Sequence, residues 1–173
     1  MPGSGKSTIV SALKTKGFEA LNLGDGVRAE AKRRNLEPTG DNLGKLMLEL
    51  REKNGPGAIA ALLTEPIKNS QSKVIIIDGV RSTAEIEVLK NVGSVKLLSI
   101  EATADTRYKF LSSRGRSDDP ATREKFEERD NRELGVGIGE SIAIADETIS
   151  NSDITLDELT QLASKTIEKW IET

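Results

Sequence analysis

Six consecutive residues near the start of the chain, Gly3-Ser4-Gly5-Lys6-Ser7-Thr8, have the types and spacing that capture polyphosphate. Met1 to Ser7 fill the last seven places of the phosphate-loop pattern G-x-x-x-x-G-K-[ST], with Gly5, Lys6 and Ser7 as its G-K-S. Gly3 and Gly5 let the backbone curl so that successive N–H groups turn inward on phosphate oxygens. A helix beginning near Lys6 adds its positive dipole end to the same anion. Lys6 then supplies a cation for the β- and γ-phosphates, and the Ser7 hydroxyl is an oxygen ligand of the kind Mg²⁺ prefers. The plainer reading is a Gly-rich flexible N-terminus ahead of a helix; the G-S-G-K-S-T string is more specific than that reading requires.

A second cluster follows an apolar run. Val74-Ile75-Ile76-Ile77 are four consecutive β-branched residues ending in Asp78, the form of a buried strand that delivers a carboxylate. In an open α/β sheet ligands gather at the carboxyl ends of strands, so Asp78 is expected near Ser7, holding Mg²⁺ directly or through water. The alternative is that Asp78 only caps the turn at Gly79. Gly79 lets backbone approach a ligand, and Arg81 offers a planar fork to phosphate. Gly24-Asp25-Gly26-Val27-Arg28 repeats the arrangement after an earlier strand, with Arg28 one turn inside a helix. Two arginines at strand ends suggest a second phosphorylated ligand; the bland alternative pairs each with a surface carboxylate such as Glu30 or Glu85.

Six of the eleven arginines, Arg107, Arg114, Arg116, Arg123, Arg129 and Arg132, fall in one short stretch. Lys125, Arg129 and Arg132 share a helical face, where like charges disfavour the helix unless something neutralises them. Triphosphate oxygens would do so if the stretch closed over them, with the Ser113–Pro120 loop around Gly115 as hinge. A solvated face laced by pairs such as Glu128 with Arg132 competes with that reading.

The elements that must position these groups are those of one domain, as 173 residues suggest. Net charge is −3, which argues against a duplex-DNA surface. With no Cys and no His, disulfides, zinc–thiolate sites, Cys nucleophiles and imidazole acid–base chemistry are excluded. The apolar run ending at Ile77 is far too short to span a bilayer, and a cytoplasmic protein is the default expectation.

Helices are expected after the phosphate loop to Lys16, over 27–35, around Leu43 to Leu50, and from Ile59 to Ile67. Further helices are expected from the Ser82-x-x-Glu85 capping box to about Val92, over 105–112, from the Asp119-Pro120 start to Leu134, over 142–145, and from the Thr155-x-x-Glu158 box onward. The last of these should turn Leu159, Leu162, Ile167, Trp170 and Ile171 inward. Strands are expected over 18–23, 73–77, 95–100 and 148–150, with Gly24-Asp25-Gly26 as a turn. Strands alternating with helices predict a parallel sheet covered on both faces.

These motifs resemble the nucleoside monophosphate kinase group of P-loop proteins. Met1-Pro2-Gly3-Ser4-Gly5-Lys6-Ser7 is similar to the adenylate-kinase phosphate loop, and Gly24-Asp25-Gly26-Val27-Arg28 to the G-D-x-x-R that grips the acceptor monophosphate. Asp78-Gly79-Val80-Arg81-Ser82 resembles D-G-F-P-R-T without the Phe-Pro pair, and Arg116-Ser117-Asp118-Asp119 the R-x-D-D of the lid. Ala145 to Asn151 is similar to the A-D-x-x-I-x-N of dephospho-coenzyme A kinases. Over nearly its whole length the chain resembles an archaeal adenylate-kinase-related, nucleotide-binding family.

The resemblance implies a three-layer P-loop α/β fold in a single domain over 1–173, with acceptor-binding helices over about 25–68 and a lid over about 112–135. It implies transfer of the γ-phosphoryl of ATP, with Mg²⁺, to a nucleoside monophosphate, AMP being the expected acceptor. Gly3, Ser4, Gly5, Lys6, Ser7 and Thr8 would bind ATP; Ser7 and Asp78 would hold Mg²⁺; Asp25, Arg28, Gly79 and Arg81 would bind the acceptor. Lys6, Arg114, Arg116 and Arg132 would act on the transferring group. No nucleic-acid or membrane partner is expected. Two other readings stand beside this one: a dephospho-coenzyme A kinase-like enzyme, and a nucleotide-binding switch without transfer. The first Gly of the loop pattern and the strand that feeds it would both precede Met1. The sequence is therefore expected to be truncated or its start codon misassigned, and the chain alone to fold poorly or bind nucleotide weakly.

Overall fold

The structure is a computed structural model that describes residues 1–115 and 119–172. The chain divides into two compact units, Met1–Gly17 with Lys96–Thr173, and Phe18–Val95. The fold is a P-loop kinase-like α/β fold of parallel strands and helices. No described helix is long and apolar enough to cross a membrane.

The first unit opens with α1 (Lys6–Thr15), directly after the phosphate loop. Its other elements are β3 (Leu98–Glu101), α7 (Ala104–Arg114), α8 (Arg123–Val136), α9 (Ile138–Ala143), β4 (Glu147–Ser150) and α10 (Leu156–Glu172). β3 and β4 pair in parallel with Leu98 opposite Glu147. Asp146 sets that register: its carboxylate accepts from the Leu97 N–H at 2.8 Å and from Lys96 Nζ at 3.0 Å. Both interactions hold the Asp146 carboxyl below its ordinary range, the Leu97 N–H more strongly.

α10 begins with a complete capping box. The Glu158 N–H donates to Thr155 Oγ1, and the Thr155 N–H to Glu158 Oε2. Its buried face is Leu159, Ala163, Ser164 and Ile167, while the expected Leu162 and Ile171 are exposed. Leu159, Ala163 and Ile167 follow i, i+4, i+8 along the side that meets α1, and the small residues 163 and 164 let the helices approach.

α8 starts at Arg123 with Thr122 as its cap, not at Asp119. The Asp119 carboxylate is engaged by the Arg114 guanidinium instead, which removes it from the helix end. α8 also runs through Gly135 and stops at Gly137, whose φ of 108° is left-handed.

The second unit holds β1 (Glu19–Asn22), α2 (Leu23–Arg33), α3 (Gly40–Asn54), α4 (Ala58–Ala61), α5 (Thr64–Asn69), β2 (Ile75–Asp78) and α6 (Thr83–Lys90). β1 and β2 pair in parallel, with Asn22 opposite Asp78. Gly24-Asp25-Gly26 is the first turn of α2, not a separate turn. Asn22 caps that helix by accepting the Gly24 N–H at 2.7 Å, so the strand passes into the helix without a loop.

The core of this unit gathers Leu23, Val27 and Ala31 of α2 with Leu46 and Leu50 of α3, Ile59 of α4 and Leu89 of α6. The expected helix over 59–67 is two short ones, with Pro66 in the first turn of α5, where its missing N–H costs nothing. α4 lies close on α6: a Cβ at Gly57 would stand 2.6 Å from Val88 Cγ2 and 2.9 Å from Ala84 O.

Candidate functional site

The phosphate loop is held open by two left-handed residues, Gly3 (φ 80°) and Gly5 (φ 101°). At the start of α1 the Thr8 N–H donates to Gly5 O at 3.1 Å. The first-turn amides of a helix have no intrahelical acceptor, so an anion can take them. Ser7 is exposed in that first turn. Lys6 Nζ lies back over the loop and donates to Met1 O at 2.7 Å and Ser4 Oγ at 3.4 Å.

The loop is pinned from two sides. Asn151, at the end of β4, donates Nδ2–H to Ser4 O at 3.0 Å in a buried bond. Its backbone N–H reaches Glu101 O at 2.7 Å, so the amide is aimed by the β3–β4 pair. A Cβ at Gly5 would come within 2.7 Å of Asn151 Nδ2 and 3.0 Å of Leu159 Cδ2. On the other side, Gly3 lies against α7, where an added Cβ would meet Arg107 O at 2.8 Å.

The arginine stretch resolves into individual fates. Arg107 is buried and forms a two-fold pair with Asp130 of α8, its guanidinium 4.9 Å over the Phe126 ring. It is therefore not one of the cations that could close on a triphosphate. Arg114 sits at the end of α7, paired with Asp119, and Gly115 follows in left-handed conformation. Arg123 lies over the Tyr108 and Phe126 rings and pairs with Asp105 at 2.7 Å. Lys125 reaches Glu128, and Arg132 is exposed on α8. Arg116, together with Ser117 and Asp118, lies outside the described residues.

The other expected groups belong to the second unit. Asp78 closes β2, and its Oδ2 accepts from Asn22 Nδ2 at 3.1 Å, while Asn22 Oδ1 caps α2. One side chain thus fixes the carboxylate and the helix that carries Arg28. Gly79 turns the chain with φ 93°. Arg28 is exposed and paired with Asp25 at 2.8 Å, an i, i+3 surface pair.

Glu30, the suggested surface partner of Arg28, is occupied by Arg33 and Arg34. These hold its carboxyl down to about 2, Arg33 first. The Arg81 N–H donates to Glu85 Oε2 at 2.7 Å, and Arg51 of α3 donates to Glu85 Oε1 at 3.3 Å. Glu85 is only 1% exposed, so a buried carboxylate anchors the backbone from which Arg81 extends. The Ser82 capping box is accordingly half made: the Glu85 N–H reaches Ser82 Oγ at 3.3 Å, but the carboxylate serves Arg81.

The structure thus gathers Gly3, Ser4, Gly5, Lys6, Ser7, Thr8, Arg114 and Arg132 in the first unit, and Asp25, Arg28, Asp78, Gly79 and Arg81 in the second. Periodicity points to none of Asn22, Arg51, Asp130 or the anchoring duty of Asn151. An N-cap signal at Asn22 ahead of Gly24 is the one cue available for the first of these. No cluster of three or more acidic, His or Cys residues able to hold a metal occurs among the described residues.

The chain is similar to known proteins in sequence and in fold. A family model described as an AAA domain matches residues 1–127. A UPF0200 protein of Pyrococcus abyssi is 41% identical over 158 residues, which span 88% of this chain and 84% of the relative. A UPF0200 protein of Methanothrix thermoacetophila is 42% identical over 173 residues, 98% of this chain and 93% of the relative. Among solved structures, TT1252 from Thermus thermophilus superposes with a TM-score of 0.65 at 18% identity, over 96% of this chain and 93% of that one. The crystal structure of shikimate kinase from Bacteroides thetaiotaomicron gives 0.64 at 14% identity, over the same shares. At such identities the likeness speaks for the fold alone, that of a P-loop kinase.

Proposed function

This chain belongs to the UPF0200 family and carries the AAA domain, and on that premise we propose that it moves the γ-phosphoryl group of ATP onto a nucleoside monophosphate, with AMP the expected acceptor. The observation that carries the reading is the phosphate loop: two left-handed glycines, a ten-residue helix directly behind them, and a buried amide holding the loop in place without ligand. Such preorganised donors stabilise charge that shifts between phosphates.

In the reaction the bond between the γ-phosphorus and its bridging oxygen breaks, and a phosphate oxygen of the acceptor bonds to the phosphorus. The acceptor oxygen is already largely deprotonated at neutral pH, since a phosphate monoester loses its second proton near pH ~6. No general base is needed, which agrees with a chain that has no His. Lys6 and the loop amides hold the β- and γ-phosphates. The Ser7 hydroxyl and the Asp78 carboxylate would offer oxygens to Mg²⁺, which would neutralise charge on those phosphates. Asp78 has Oδ2 steadied by Asn22, which suits a ligand that must keep one orientation.

Arg28 and Arg81 take the acceptor phosphate; Arg28 can exchange Asp25 for it, because an exposed pair is worth only ~0–1 kcal/mol. Arg114, Arg116 and Arg132 supply charge from the lid.

The dephospho-coenzyme A reading drew on the stretch from Ala145 to Asn151. There Asp146 sets a strand and Asn151 holds the loop, duties that any acceptor would share. A nucleotide switch would use the same loop without transfer. Calorimetry with MgATP on the parent, with turnover measured on the parent and on Lys6→Ala, tests the donor assignment. Binding by the parent and a loss of about 3 kcal/mol of transition-state stabilisation in the variant are expected. Equal turnover in both would remove Lys6 from the mechanism.

A further inference from the structure

We propose that Arg107 is a positioning residue that sets the phosphate loop and α8 in a fixed register through its pair with Asp130. Four contacts converge on this one side chain. Nη1 donates to Pro2 O at 3.2 Å, in the turn that leads into the loop. The same Nη1 donates to Asp130 Oδ1 at 2.8 Å, and Nη2 donates to Asp130 Oδ2. The guanidinium covers the face of Phe126, which is itself buried on α8. The backbone of Arg107 lies so close to Gly3 that a Cβ there would stand 3.2 Å from the Arg107 Cα.

These contacts are more than packing requires. A buried ion pair is a weak device for stability, because desolvation offsets most of its attraction and apolar side chains of similar volume often serve as well. Arg107 also keeps Nε buried without an acceptor among the described residues, a further unfavourable term. What the guanidinium provides, and an apolar pair would not, is a planar fork with directed donors at fixed angles.

Nη1 thus reaches both the start of the loop and α8, and Nη2 adds the second bond to Asp130. Arg129 and Arg132 flank Asp130 on the same helix. With Asn151 fixing Ser4 O from the other side, the loop amides are held before any ligand arrives. Cations carried on α8 are thereby registered on the phosphates that those amides would bind. This last consequence rests on the phosphotransfer reading; the clamp on the loop does not.

The test replaces both charges together, Arg107→Met with Asp130→Leu, to preserve volume and leave no lone buried ion. Three quantities are measured: the melting temperature, amide exchange over residues 3–8 without nucleotide, and the dissociation constant for MgATP. The variant is expected to melt close to the parent, while loop amides exchange about tenfold faster and MgATP binds about tenfold more weakly. Melting and loop exchange both unchanged would overturn the clamp.

Should the double variant fail to fold, Asp130→Asn keeps the shape and weakens one arm of the fork. Faster exchange at residues 3–8 then supports the clamp, and parent-like exchange overturns it. Arg107→Lys keeps the charge but loses the fork, so it should melt close to the parent without keeping the loop protection. Full recovery of protection by lysine would also overturn the proposal. If the parent binds no MgATP, the phosphotransfer reading falls, and loop exchange in the nucleotide-free protein still decides the clamp.

Discussion

The two compact units hold their charged groups in opposite ways. In the first, the phosphate loop is held by bonds between residues far apart in sequence: Asn151 to Ser4 in a buried bond, and Arg107 to both Pro2 and Asp130. In the second, Arg28 is exposed and held only by Asp25 in its own helix, although Asp78 and the Arg81 backbone are braced by Asn22 and Glu85. A loop that must present several amides to one polyphosphate gains from being ordered in advance, because its ordering cost is met during folding. A cation that must accept and release a changing partner gains from a weak, local one. On the proposed phosphotransfer reading, the difference would separate the loop that any ATP-user needs from the groups that select the acceptor.

The comparison breaks most sharply at Gly5. Gly5→Ala places a Cβ against Asn151 and Leu159 at a left-handed φ of 101°, so neither the loop nor its anchor can keep its position. A loss of about 3 kcal/mol in stability is expected from strain and overpacking together, with MgATP heat abolished; parent-like melting and binding would refute the anchoring.

Nearly as large is Glu85→Ala in the second unit, which leaves the Arg51 guanidinium and the Arg81 N–H without their buried acceptor. About 3 kcal/mol by chemical denaturation is expected, together with weakened acceptor binding and intact MgATP binding. Equal loss of both ligands would blur the division of labour.

Arg28→Ala should change stability by less than about 1 kcal/mol, since it removes an exposed pair. Steady-state kinetics should show a raised KM for the acceptor, with the KM for ATP little altered.

The smallest effect is on acid stability. Glu30 has its folded pKa depressed to about 2 from an ordinary 4.5 by Arg33 and Arg34, so its contribution is complete above pH 4.5 and is lost as pH falls toward 2. Asp146 is depressed in the same direction in the first unit. Melting temperature should therefore decline through that window in both Glu30→Gln and the parent, but less steeply in the variant. Identical slopes would argue that the Glu30 pairs contribute nothing.

What could be read from the chain alone follows from how local the physics is. The phosphate loop is legible because its chemistry sits in consecutive residues, and the Thr155–Glu158 box because a cap is set within one turn. The start of α8 was not, because Asp119 has two possible duties and a neighbouring guanidinium takes it. The α2 start was missed because the apolar pattern of β1 runs on to Leu23, although Asn22 already caps the helix. The buried set of α10 departs from a pattern of large residues because small Ala163 and Ser164 form part of the close face. Asn151 meets Ser4 across 147 positions and Arg107 meets Asp130 across 23, and no periodicity encodes such polar pairs. Bringing them together is the work of the folded backbone, which is why these anchors are not legible in the chain alone.

The most direct test of the account is product analysis. The protein is incubated with MgATP and, separately, AMP, other nucleoside monophosphates and dephospho-coenzyme A, and the nucleotides are resolved by chromatography. The expected result is ADP formed in step with a phosphorylated monophosphate, dependent on Lys6 and foremost with AMP. MgATP that is bound yet left intact with every acceptor, or split only to ADP and inorganic phosphate, would contradict it.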